Sequence, residues 1–247
     1  MSANTLVACH PLRSMQHKAN TLSFDIGGTG VKASVVDPKG SLMVERVRID
    51  TPVGSHPDEF VAAMAAMVAQ LPAFEQISVG FPGMVRGGVV LTAANLKHEA
   101  WTGYPLAQKI EALLHCPTRL ANDADMQGLA VIAGKGLEMV VTLGTGFGSA
   151  LFENGKLCPH LELAHAPFRK GGTYNEQLGE DARQTVGTKK WRKRVAKMIE
   201  NMRTLTHFDH LYIGGGNQRH LGEALPEDIS RVDNVAGISG GACLWRD

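Results

Sequence analysis

The sequence predicts an α/β fold on three observations. Short apolar runs with the spacing of strands alternate with segments in which apolar residues recur at helical spacing. Several of these strands stop at glycine-rich turns, and the 247 residues include 28 glycines. Hydrophobic residues make up 44% of the chain, and the formal net charge is +1. This composition excludes a disordered chain and argues against a general nucleic-acid binder, and the length allows one large domain or two modest ones.

The elements follow from these patterns in chain order. We predict strands at 21–26, 31–36 and 41–49, a helix at 57–70, a strand at 76–81, a helix at 105–114, a strand at 117–121, a helix at 123–133, strands at 138–143 and 147–152, a helix-rich segment at 179–206, and a strand at 210–213 followed by a short helix. Tight turns between the first three strands predict an antiparallel start to a sheet. A strand, a glycine-rich turn and a second strand occur near Asp25 and again near Gly144, which is weak evidence for two related lobes.

The N-terminal residues, the apolar runs and the cysteines indicate where in the cell the protein is located. Residues 1–20 are polar and lack the apolar centre of a secretory signal, so we interpret them as a flexible leader. No apolar run approaches the roughly 18–20 residues of a membrane-spanning helix, and we expect no membrane partner. Cys9, Cys116, Cys158 and Cys243 form no C-x-x-C pair. Their spacing favours reduced thiols and a cytoplasmic location.

Two glycine-rich turns have the composition of phosphate-binding loops. They read Asp25-Ile26-Gly27-Gly28-Thr29-Gly30 and Leu143-Gly144-Thr145-Gly146-Phe147-Gly148. Glycines let the backbone turn sharply and bring its N–H groups close to an anion. Thr29 offers a hydroxyl to the same phosphate, and Asp25 would hold Mg²⁺ through water. The alternative is an ordinary hairpin turn with a capping aspartate. A third segment, Gly214-Gly215-Gly216, follows a strand and opens a helix, whose N-terminus also suits anions.

Asn122-Asp123-Ala124-Asp125 lies where a predicted strand meets a helix. Carboxylates at this end of a helix are favoured by its dipole and stay ionised. An ionised aspartate there is suited to accept the proton of a substrate hydroxyl as a general base. The alternative is that these polar residues only cap the helix. Because a cap needs one such residue, the segment has room for both roles.

These motifs occur together in an order that resembles one family. The set consists of Asp25-Ile26-Gly27-Gly28-Thr29, Gly80-Phe81-Pro82-Gly83, Asn122-Asp123-Ala124, Gly144-Thr145-Gly146-Phe147-Gly148, Glu162-Leu163-Ala164-His165 and Gly214-Gly215-Gly216. From about Thr21 to Trp245 the sequence resembles the ROK family of sugar kinases, and within it the polyphosphate glucokinase branch. In that branch the first loop likewise reads G-G-T-G or G-G-S-G, where other ROK kinases usually carry lysine at the position of Gly30.

The resemblance implies an actin-like ATPase (ribonuclease H-like) fold, with two lobes and a central cleft. We expect a small N-terminal lobe at 21–120, completed by a C-terminal helix at 236–247, and a large lobe at 121–235. It also implies Mg²⁺-dependent transfer of a phosphoryl group from polyphosphate or ATP to the 6-hydroxyl of glucose or a related hexose. A homodimer is suggested by the resemblance alone, and no nucleic-acid partner is expected.

Site residues are carried over position by position. Asp123 resembles the catalytic base, and Asp25 resembles the magnesium ligand. The residues that resemble sugar ligands are Gly83, Asn95, Asn122, Glu162 and His165. The residues that resemble the phosphate site are Asp25, Gly27, Gly28, Thr29, Gly30, Gly144, Thr145, Gly146, Gly214, Gly215 and Gly216.

The residue chemistry of Glu162 and His165 agrees with a sugar site. A carboxylate accepts hydrogen bonds and an imidazole donates or accepts them, as neighbouring hydroxyls require. The alternative for His165 is a structural histidine. After His165 the sequence departs from the family, because residues 168–176 contain no cysteine-rich zinc motif. We therefore expect no structural zinc, and we predict that Glu176, or alternatively Glu180, supplies the sugar-binding carboxylate that follows that motif in the family.

The densest basic run lies at 189–197, with Arg169 and Lys170 upstream. Polyphosphate carries charge on every unit, so a basic strip would bind it as basic strips bind nucleic-acid backbones. The predicted polyphosphate track consists of Lys189, Lys190, Arg192, Lys193 and Arg194. The alternative is a solvated helix face. We predict that Trp191, within the run, packs in the core.

Two rival functions belong to other classes. A ROK-type sugar-sensing regulator would carry a helix-turn-helix before the kinase-like part, and the residues before Asp25 are too few for one. A catalytically silent sugar-binding protein would need neither Asp123 nor both glycine-rich turns. The sequence leaves the choice between polyphosphate and ATP, and the identity of the hexose, open.

Overall fold

The computed structural model describes residues 19–232 and 236–246. The predicted leader at 1–20 therefore lies outside the described residues except for its last two positions. The described chain forms two compact units, one of residues 19–133 with 236–246 and one of residues 134–232. None of the helices in this part of the chain combines the length and the apolar character needed to span a bilayer.

The strands and helices alternate along most of the described chain. The strands are β1 (Thr21–Ile26), β2 (Gly30–Val36), β3 (Val47–Asp50), β4 (Gln76–Phe81), β5 (Val85–Arg86), β6 (Val89–Val90), β7 (Thr118–Asn122), β8 (Leu137–Leu143), β9 (Phe147–Glu153), β10 (Lys156–Leu157), β11 (Pro167–Arg169), β12 (Gly172–Thr173), β13 (His210–Gly214) and β14 (Ile229–Arg231). The α-helices are α1 (Pro57–Val68), α2 (Leu106–Leu114), α3 (Asp123–Leu129), α4 (Tyr174–Leu178), α5 (Glu180–Val186), α6 (Thr188–Thr206) and α7 (Ala236–Ser239). Short 3-10 helices lie at Ala94–Leu96, Glu99–Trp101, Leu163–His165, Gly216–His220 and Gly240–Trp245.

A five-stranded sheet of order β3-β2-β1-β4-β7 forms the centre of the first unit. The β1–β2 and β2–β3 pairs are antiparallel, whereas β1–β4 and β4–β7 are parallel. The strands β1, β2 and β4 are buried over nearly their whole length, as strands covered on both faces are. Phe60, Phe81, Trp101 and Tyr104 form a contiguous aromatic group in this core.

The C-terminal segment packs within the same unit. A Cβ at Gly241 would collide with Ser23, so the segment approaches β1 closely only because glycine has no side chain. The indole N–H of Trp245 donates to Ser78 Oγ at 2.9 Å. The guanidinium of Arg119 lies 4.4 Å from the centre of the Trp245 ring, in a cation–π contact.

The second unit is built on a sheet of order β10-β9-β8-β13-β14. The β8–β9 pair is antiparallel, and β13 lies parallel between β8 and β14. Helix α6 packs on this unit through Trp191, Val195, Met198 and Met202, all of which are buried. Their spacing of three to four residues gives the helix one apolar face. Trp191 has no exposed surface, which confirms its predicted place in the core.

Several elements differ from the sequence prediction, including the predicted C-terminal helix, which is α-helical only over Ala236–Ser239 and continues as the 3-10 helix Gly240–Trp245. The predicted strand at 41–49 is wrong over most of its length, because regular pairing with β2 covers only Val47–Asp50. Residues 41–43, 45 and 46 are exposed, and apart from an isolated bridge from Leu42 to Val36 this stretch does not continue the ladder. The predicted helix at 123–133 ends at Leu129, and turn-like hydrogen bonds span three residues beyond it. The three-residue strand β14 was not predicted, since so short a run has little periodicity.

The predicted lobe boundary between residues 120 and 121 falls inside β7. This strand pairs with β4 of the first sheet, so the first unit continues to Ala133 before the chain enters the second. The predicted division into a small lobe of residues 21–120 with 236–247 and a large lobe of residues 121–235 stays a prediction.

Replacement of Trp191 by alanine should destabilise the second unit by about 3–5 kcal/mol, because it opens a large cavity and removes the 2.8 Å hydrogen bond from the indole to the Leu178 carbonyl. Urea unfolding followed by far-ultraviolet circular dichroism measures this. Trp191→Phe, which keeps most of the apolar volume, should cost less. Leu205→Ala is the control, since Leu205 is 67% exposed and its loss should change stability by less than about 0.5 kcal/mol. Equal effects of Trp191→Ala and Leu205→Ala would contradict the assignment.

Candidate active site

Asp25 lies near the carboxyl end of β1, opposite Lys32 on β2 and Gly80 on β4. The ammonium of Lys32 is 3.3 Å from Asp25 Oδ2, and the aspartate side chain is 21% exposed. On the C-terminal segment, a Cβ at Gly237 would lie 3.3 Å from the Asp25 carboxyl carbon. The carboxylate is therefore held by a cation and approached by a residue without a side chain, and it stays partly open to solvent.

Gly80 brings the two predicted acidic residues together. It pairs with Asp25 across β1 and β4, and neighbouring strands lie about 4.8 Å apart. A Cβ at Gly80 would lie 3.4 Å from the Cα of Asp123 and 2.7 Å from the Cε of Met126. Asp25 and Asp123 thus both lie beside Gly80 in the first unit. The sequence signal for this arrangement is a glycine inside an otherwise apolar strand, which marks a close approach of another backbone.

Asn122 ends β7 and caps α3. Its Oδ1 accepts the N–H of Ala124 at 2.8 Å, and its Nδ2 donates to the carbonyl of Gly83 at 3.1 Å. The side chain is buried. The capping role, which was the alternative for this segment, therefore belongs to Asn122. The same residue fixes the Gly83 loop, and its role as a sugar ligand stays a prediction.

Asp123 follows as the first residue of α3. Its Oδ1 also accepts the N–H of Ala124, at 2.9 Å, and its side chain is intermediate in exposure. Asp125, two residues on, is buried. Of the two aspartates, Asp123 is the one at the junction of β7 and α3 with access to solvent, as a general base requires.

The other predicted sugar ligands of the first unit lie in two loops. Gly83 follows β4, and a Cβ there would collide with the carbonyl oxygen of Thr92, so no other residue fits without a shift. Asn95 is exposed in the 3-10 helix Ala94–Leu96. Gly83 is thus joined to Asn122 by a hydrogen bond. Among the hydrogen bonds of the described residues, none joins Asn95 to Gly83 or to Asn122.

The first glycine turn is tight, although not for the reason that the sequence indicated. The N–H of Gly27 donates to the carbonyl of Gly30 at 3.0 Å. The backbone of Gly27, Gly28 and Gly30 stays outside the left-handed region, so conformational freedom is not what requires glycine here. A Cβ at Gly30 would lie 2.6 Å from Nε of Arg48, so a side chain there would require this exposed arginine to move. A Cβ at Gly28 would meet nothing within 4 Å, so this side of the turn is open.

The second glycine turn has the same closure in the second unit. The N–H of Gly144 donates to the carbonyl of Gly146 at 3.0 Å. Asn217 Nδ2 donates to the Gly144 carbonyl at 3.0 Å. Gly215, with φ of +82°, lies against the backbone of Leu143. The structure thus brings the predicted phosphate residues 144–146 and 214–216 together. The amide side chains that support them, such as Asn217, were not predicted.

Glu162 precedes the 3-10 helix Leu163–His165 of the second unit, and His165 is the last residue of that helix. Glu162 is mostly buried, and its Oε2 lies 3.9 Å from Nε2 of His160. The neighbouring His160 imidazole is the main cause that lowers the pKa of the Glu162 carboxyl, and the charge of His165 adds to it. His165 itself is exposed. His160 was missed from the sequence, where its only signal was its position two residues before Glu162.

The two candidates for the further sugar-binding carboxylate, Glu176 and Glu180, both form hydrogen bonds within the protein. Glu176 closes a capping box at the start of α4, where its Oε2 accepts the N–H of Thr173 at 2.9 Å. Glu180 forms a two-pronged pair with Arg183, with Nε–Oε2 at 2.8 Å. Hydrogen bonds from Arg183 and Gln184 lower the pKa of Glu180 to about 2. Both roles in sugar binding stay predictions.

The basic run of α6 forms one side of a concave surface in the second unit. This basic surface encloses about 620 Å³ and is lined by Arg169, Lys170, Thr185, Val186, Lys190, Lys193, Arg194 and Lys197. The four lining residues of α6 have the spacing of a single helix face. Lys189 and Arg192 do not line it, and Arg192 instead donates to the His220 carbonyl at 2.6 Å. Burial and then the charge of Arg169 lower the pKa of Arg194.

The residues around Asp25 fit a magnesium ion bound together with phosphates. Among residues 19–232 and 236–246, no group of three histidine, cysteine, aspartate or glutamate side chains is arranged to hold a metal ion. Mg²⁺ does not need such a group, because it keeps several waters and binds through one or two carboxylates plus substrate phosphates. A partly exposed Asp25 beside an open glycine turn supplies one such carboxylate.

Comparison with known proteins identifies the family of the chain. Residues 21–160 match the ROK family. The chain is 34% identical over 240 residues to the polyphosphate glucokinase of Mycobacterium tuberculosis, covering 89% of this chain and 88% of that one. It superposes on the inorganic polyphosphate/ATP-glucomannokinase of Arthrobacter sp. strain KM with a TM-score of 0.81 and 32% identity, covering 91% of this chain and 97% of that one. The ROK family glucokinase of Streptomyces griseus, 19% identical over 91% of this chain and 98% of its own, shares the fold with a TM-score of 0.75.

The fold and these relatives define the class of protein. It is a phosphotransferase of the sugar kinase class, with the actin-like ATPase fold. The chain belongs to the ROK family.

The pKa of the Glu162 carboxyl group should lie below its ordinary range, because the neighbouring His160 imidazole favours the charged form. Carboxyl-carbon NMR of the full chain measures this. His160→Ala should move the titration to higher pH, since the group that favours the ionised form is lost. The matched control is His207→Ala, which removes a histidine at the far end of α6. A Glu162 titration that is the same in His160→Ala and in the unaltered chain would contradict the assignment.

Proposed function

We propose that this protein is a hexose kinase that transfers a phosphoryl group from polyphosphate or ATP to the 6-hydroxyl of glucose or a related hexose. The observation that carries the proposal is the pairing of Asp25 with Gly80 and the contact of Gly80 with Asp123. Asp25, the proposed magnesium ligand, and Asp123, the proposed general base, then both lie beside Gly80. The printed functions of the Mycobacterium and Arthrobacter relatives support the choice of donor and sugar class.

In the proposed reaction Asp123 accepts the proton of the sugar hydroxyl. The oxygen of that hydroxyl bonds to the terminal phosphorus of the donor. The bond from that phosphorus to the bridging oxygen breaks, and the shortened polyphosphate or ADP leaves with the electron pair. Positioning and neutralisation of charge supply most of the acceleration in such transfers. We assign the sugar hydroxyls to Gly83, Asn95, Glu162 and His165.

Asp25 would hold Mg²⁺, with the turn at 27–30 against the donor phosphates. Bound Mg²⁺ neutralises charge on the phosphate oxygens. The open side at Gly28 leaves room for a phosphate to approach the backbone. In the second unit, the turn at 144–146 and the segment 214–216 provide the other proposed phosphate contacts. These turns are closed by hydrogen bonds of their own, so they need little reorganisation on binding.

The basic surface is proposed to bind the part of polyphosphate that does not react. Helix α5 links it to the second glycine turn, because the N–H of Glu180 donates to the Gly144 carbonyl and Thr185 and Val186 line the surface. A helix of seven residues is about 10 Å long. A polyphosphate chain of modest length would therefore reach from one to the other. Of the predicted track, Lys190, Lys193 and Arg194 belong to this proposal, together with Arg169, Lys170 and Lys197.

A cytoplasmic location is also proposed, on the cysteines. Cys116 and Cys158 are free thiols whose pKa is raised by burial, and Cys243 is buried. Such thiols are unreactive and typical of a reducing compartment. The fourth, Cys9, lies outside the described residues. The homodimer and the expected lack of structural zinc stay predictions.

A matrix of donors and sugars tests the function. Purified chain with Mg²⁺ is offered polyphosphate or ATP, each with glucose, mannose or N-acetylmannosamine, and sugar phosphate is measured by a coupled assay. Phosphorylation of glucose or mannose by at least one donor is the expected result. Sugar binding without product in any combination would instead indicate a silent binding protein or a regulator.

Asp123→Asn should lower kcat by about 10²–10⁴-fold, because the amide cannot accept the hydroxyl proton. The fold and the Kd for sugar should change little, since asparagine keeps the shape and the hydrogen bond to Ala124. Steady-state kinetics and calorimetric sugar binding measure these quantities. Asp181→Asn, at an exposed position in the first turn of α5, is the matched control. Turnover of Asp123→Asn within severalfold of that control would show that Asp123 is not the base.

The double variant Lys193→Glu with Arg194→Glu should raise the KM for polyphosphate by a much larger factor than the KM for ATP. The reason is that the longer polyanion extends onto the basic surface whereas ATP does not. The KM for polyphosphate should also become less sensitive to salt. Lys189→Glu reverses a charge on the same helix outside the surface and serves as the control. Equal rises in the KM of both donors would contradict the assignment.

A further inference from the structure

Met126 has no role in the site as described so far, although it lies one helical turn after Asp123 on α3 and is fully buried. Residues three apart on a helix are neighbours on its surface. A Cβ at Gly80 would lie 3.4 Å from the Cα of Asp123, 2.7 Å from the Cε of Met126 and 3.6 Å from its Sδ. The end of the Met126 side chain therefore occupies the space that a side chain at Gly80 would need.

The C-terminal segment of the first unit also packs against Met126. A Cβ at Gly240 would collide with the carbonyl oxygen of Met126 and would lie 3.4 Å from its Cγ. Three residues earlier, a Cβ at Gly237 would lie 3.3 Å from the carboxyl carbon of Asp25. Met126 thus packs against β4 at Gly80 and against the segment that approaches Asp25.

Helix α3 depends on such packing for its position. It has seven residues, and helices this short are not stable on their own. Its N-terminus is fixed by the cap in which Asn122 accepts the N–H of Ala124. The buried residues of the helix are Ala124, Asp125, Met126 and Gly128, and of these only Met126 has a long apolar side chain. This side chain is unbranched and flexible, which suits the narrow space that a glycine leaves.

We propose that Met126 is a positioning residue for Asp123. Its side chain sets the separation of α3 from β4 at Gly80, and with it the distance between the carboxylates of Asp123 and Asp25. This inference rests on the proposed function, in which Asp123 is the base and Asp25 holds the magnesium ion. Met126 touches no substrate in this arrangement, so its loss should lower kcat and leave the binding of sugar and donor nearly unchanged.

Steady-state kinetics of Met126→Ala test this first. Alanine leaves a cavity beside Gly80 into which α3 can shift, and a misplacement of about 1 Å costs up to about 10²-fold in rate. We therefore expect kcat to fall by about 10–10²-fold, while the KM values for sugar and donor stay within about twofold. Met126→Leu keeps most of the volume and should keep kcat within severalfold of the unaltered chain.

Met64→Ala is the matched control, because Met64 on α1 is a methionine of the same unit that is 1% exposed. The inference is overturned if Met64→Ala lowers kcat as much as Met126→Ala does, or if Met126→Ala leaves kcat unchanged. Circular dichroism and melting temperature establish that each variant is folded. Met126→Val, a smaller change in volume, replaces Met126→Ala if that variant does not fold.

Gly80→Ala perturbs the same contact from β4. Its methyl group would displace the end of the Met126 side chain and would lie at an ordinary distance from Asp123. Gly80→Ala should therefore lower kcat severalfold in the unaltered chain, and it should lower kcat no further in Met126→Ala, where that side chain is absent. A loss by the same factor in both backgrounds would show that Gly80 and Met126 act independently, which contradicts the proposal.

The Asp123→Asn background distinguishes positioning of the base from a general effect on the fold. If Met126 acts through Asp123, adding Met126→Ala to Asp123→Asn should change the residual kcat by less than about twofold, because residues that act as a unit are not additive. A further fall as large as in the unaltered chain would show that Met126 does not act through Asp123 and would overturn the inference.

Carboxyl-carbon NMR separates this inference from the proposed function, because it requires no turnover. In the full chain without substrate, Met126→Ala should shift the carboxyl resonance of Asp123, and Met64→Ala should leave it in place. An Asp123 resonance that is the same in Met126→Ala and in the unaltered chain overturns the inference. If the unaltered chain phosphorylates no sugar, the proposed function fails, and this measurement still decides whether Met126 positions Asp123.

Discussion

The parallel pairing of β1, β4 and β7 is the constraint on which the first-unit site depends. These strands run in one direction, and Asp25, Gly80 and Ala121 lie opposite one another in their register. The carboxyl ends of parallel strands meet at one edge of a sheet, where α/β proteins bind their ligands. The glycine turn after β1, Gly83 after β4 and Asn122 at the end of β7 therefore come to the same edge, although they are far apart in sequence.

At this edge glycine matters for its small volume more than for its flexibility. Gly80 lets α3 approach β4 closely enough to bring Asp123 beside the Asp25 strand, and Gly237 does the same for the C-terminal segment. Gly30 leaves its space to a guanidinium. Close-packed backbone of this kind has few alternative arrangements, which would keep the proposed catalytic groups in place before a substrate binds. The same property leaves the turn open where a phosphate would approach.

The cationic side chains of the second unit differ from one another in their partners. Arg183 is satisfied by Glu180, and Arg192 donates to a carbonyl. On the basic surface six of the eight lining residues are cationic. Arg169 and Arg194 donate to Gln177 and Lys197 pairs with Glu200, and the charge of Arg169 contributes to the lowered pKa of Arg194. Like charges held this close repel one another, and a bound polyanion relieves the repulsion. This repulsion is the physical reason for proposing a phosphate polymer, and not a neutral ligand, as the occupant of the surface.

The sequence by itself determined the order and kind of the main elements and the position of Asp123 at a strand–helix junction, because periodicity and turn chemistry are local properties. It did not determine which side chains meet. That Glu176 closes a capping box, that Arg48 covers a glycine turn and that His160 lies near Glu162 all depend on strand register and helix phase, which arise only when distant segments pack. The tertiary structure likewise decided which lysines and arginines of α6 face the basic surface, since one helix turn places neighbouring residues on different sides.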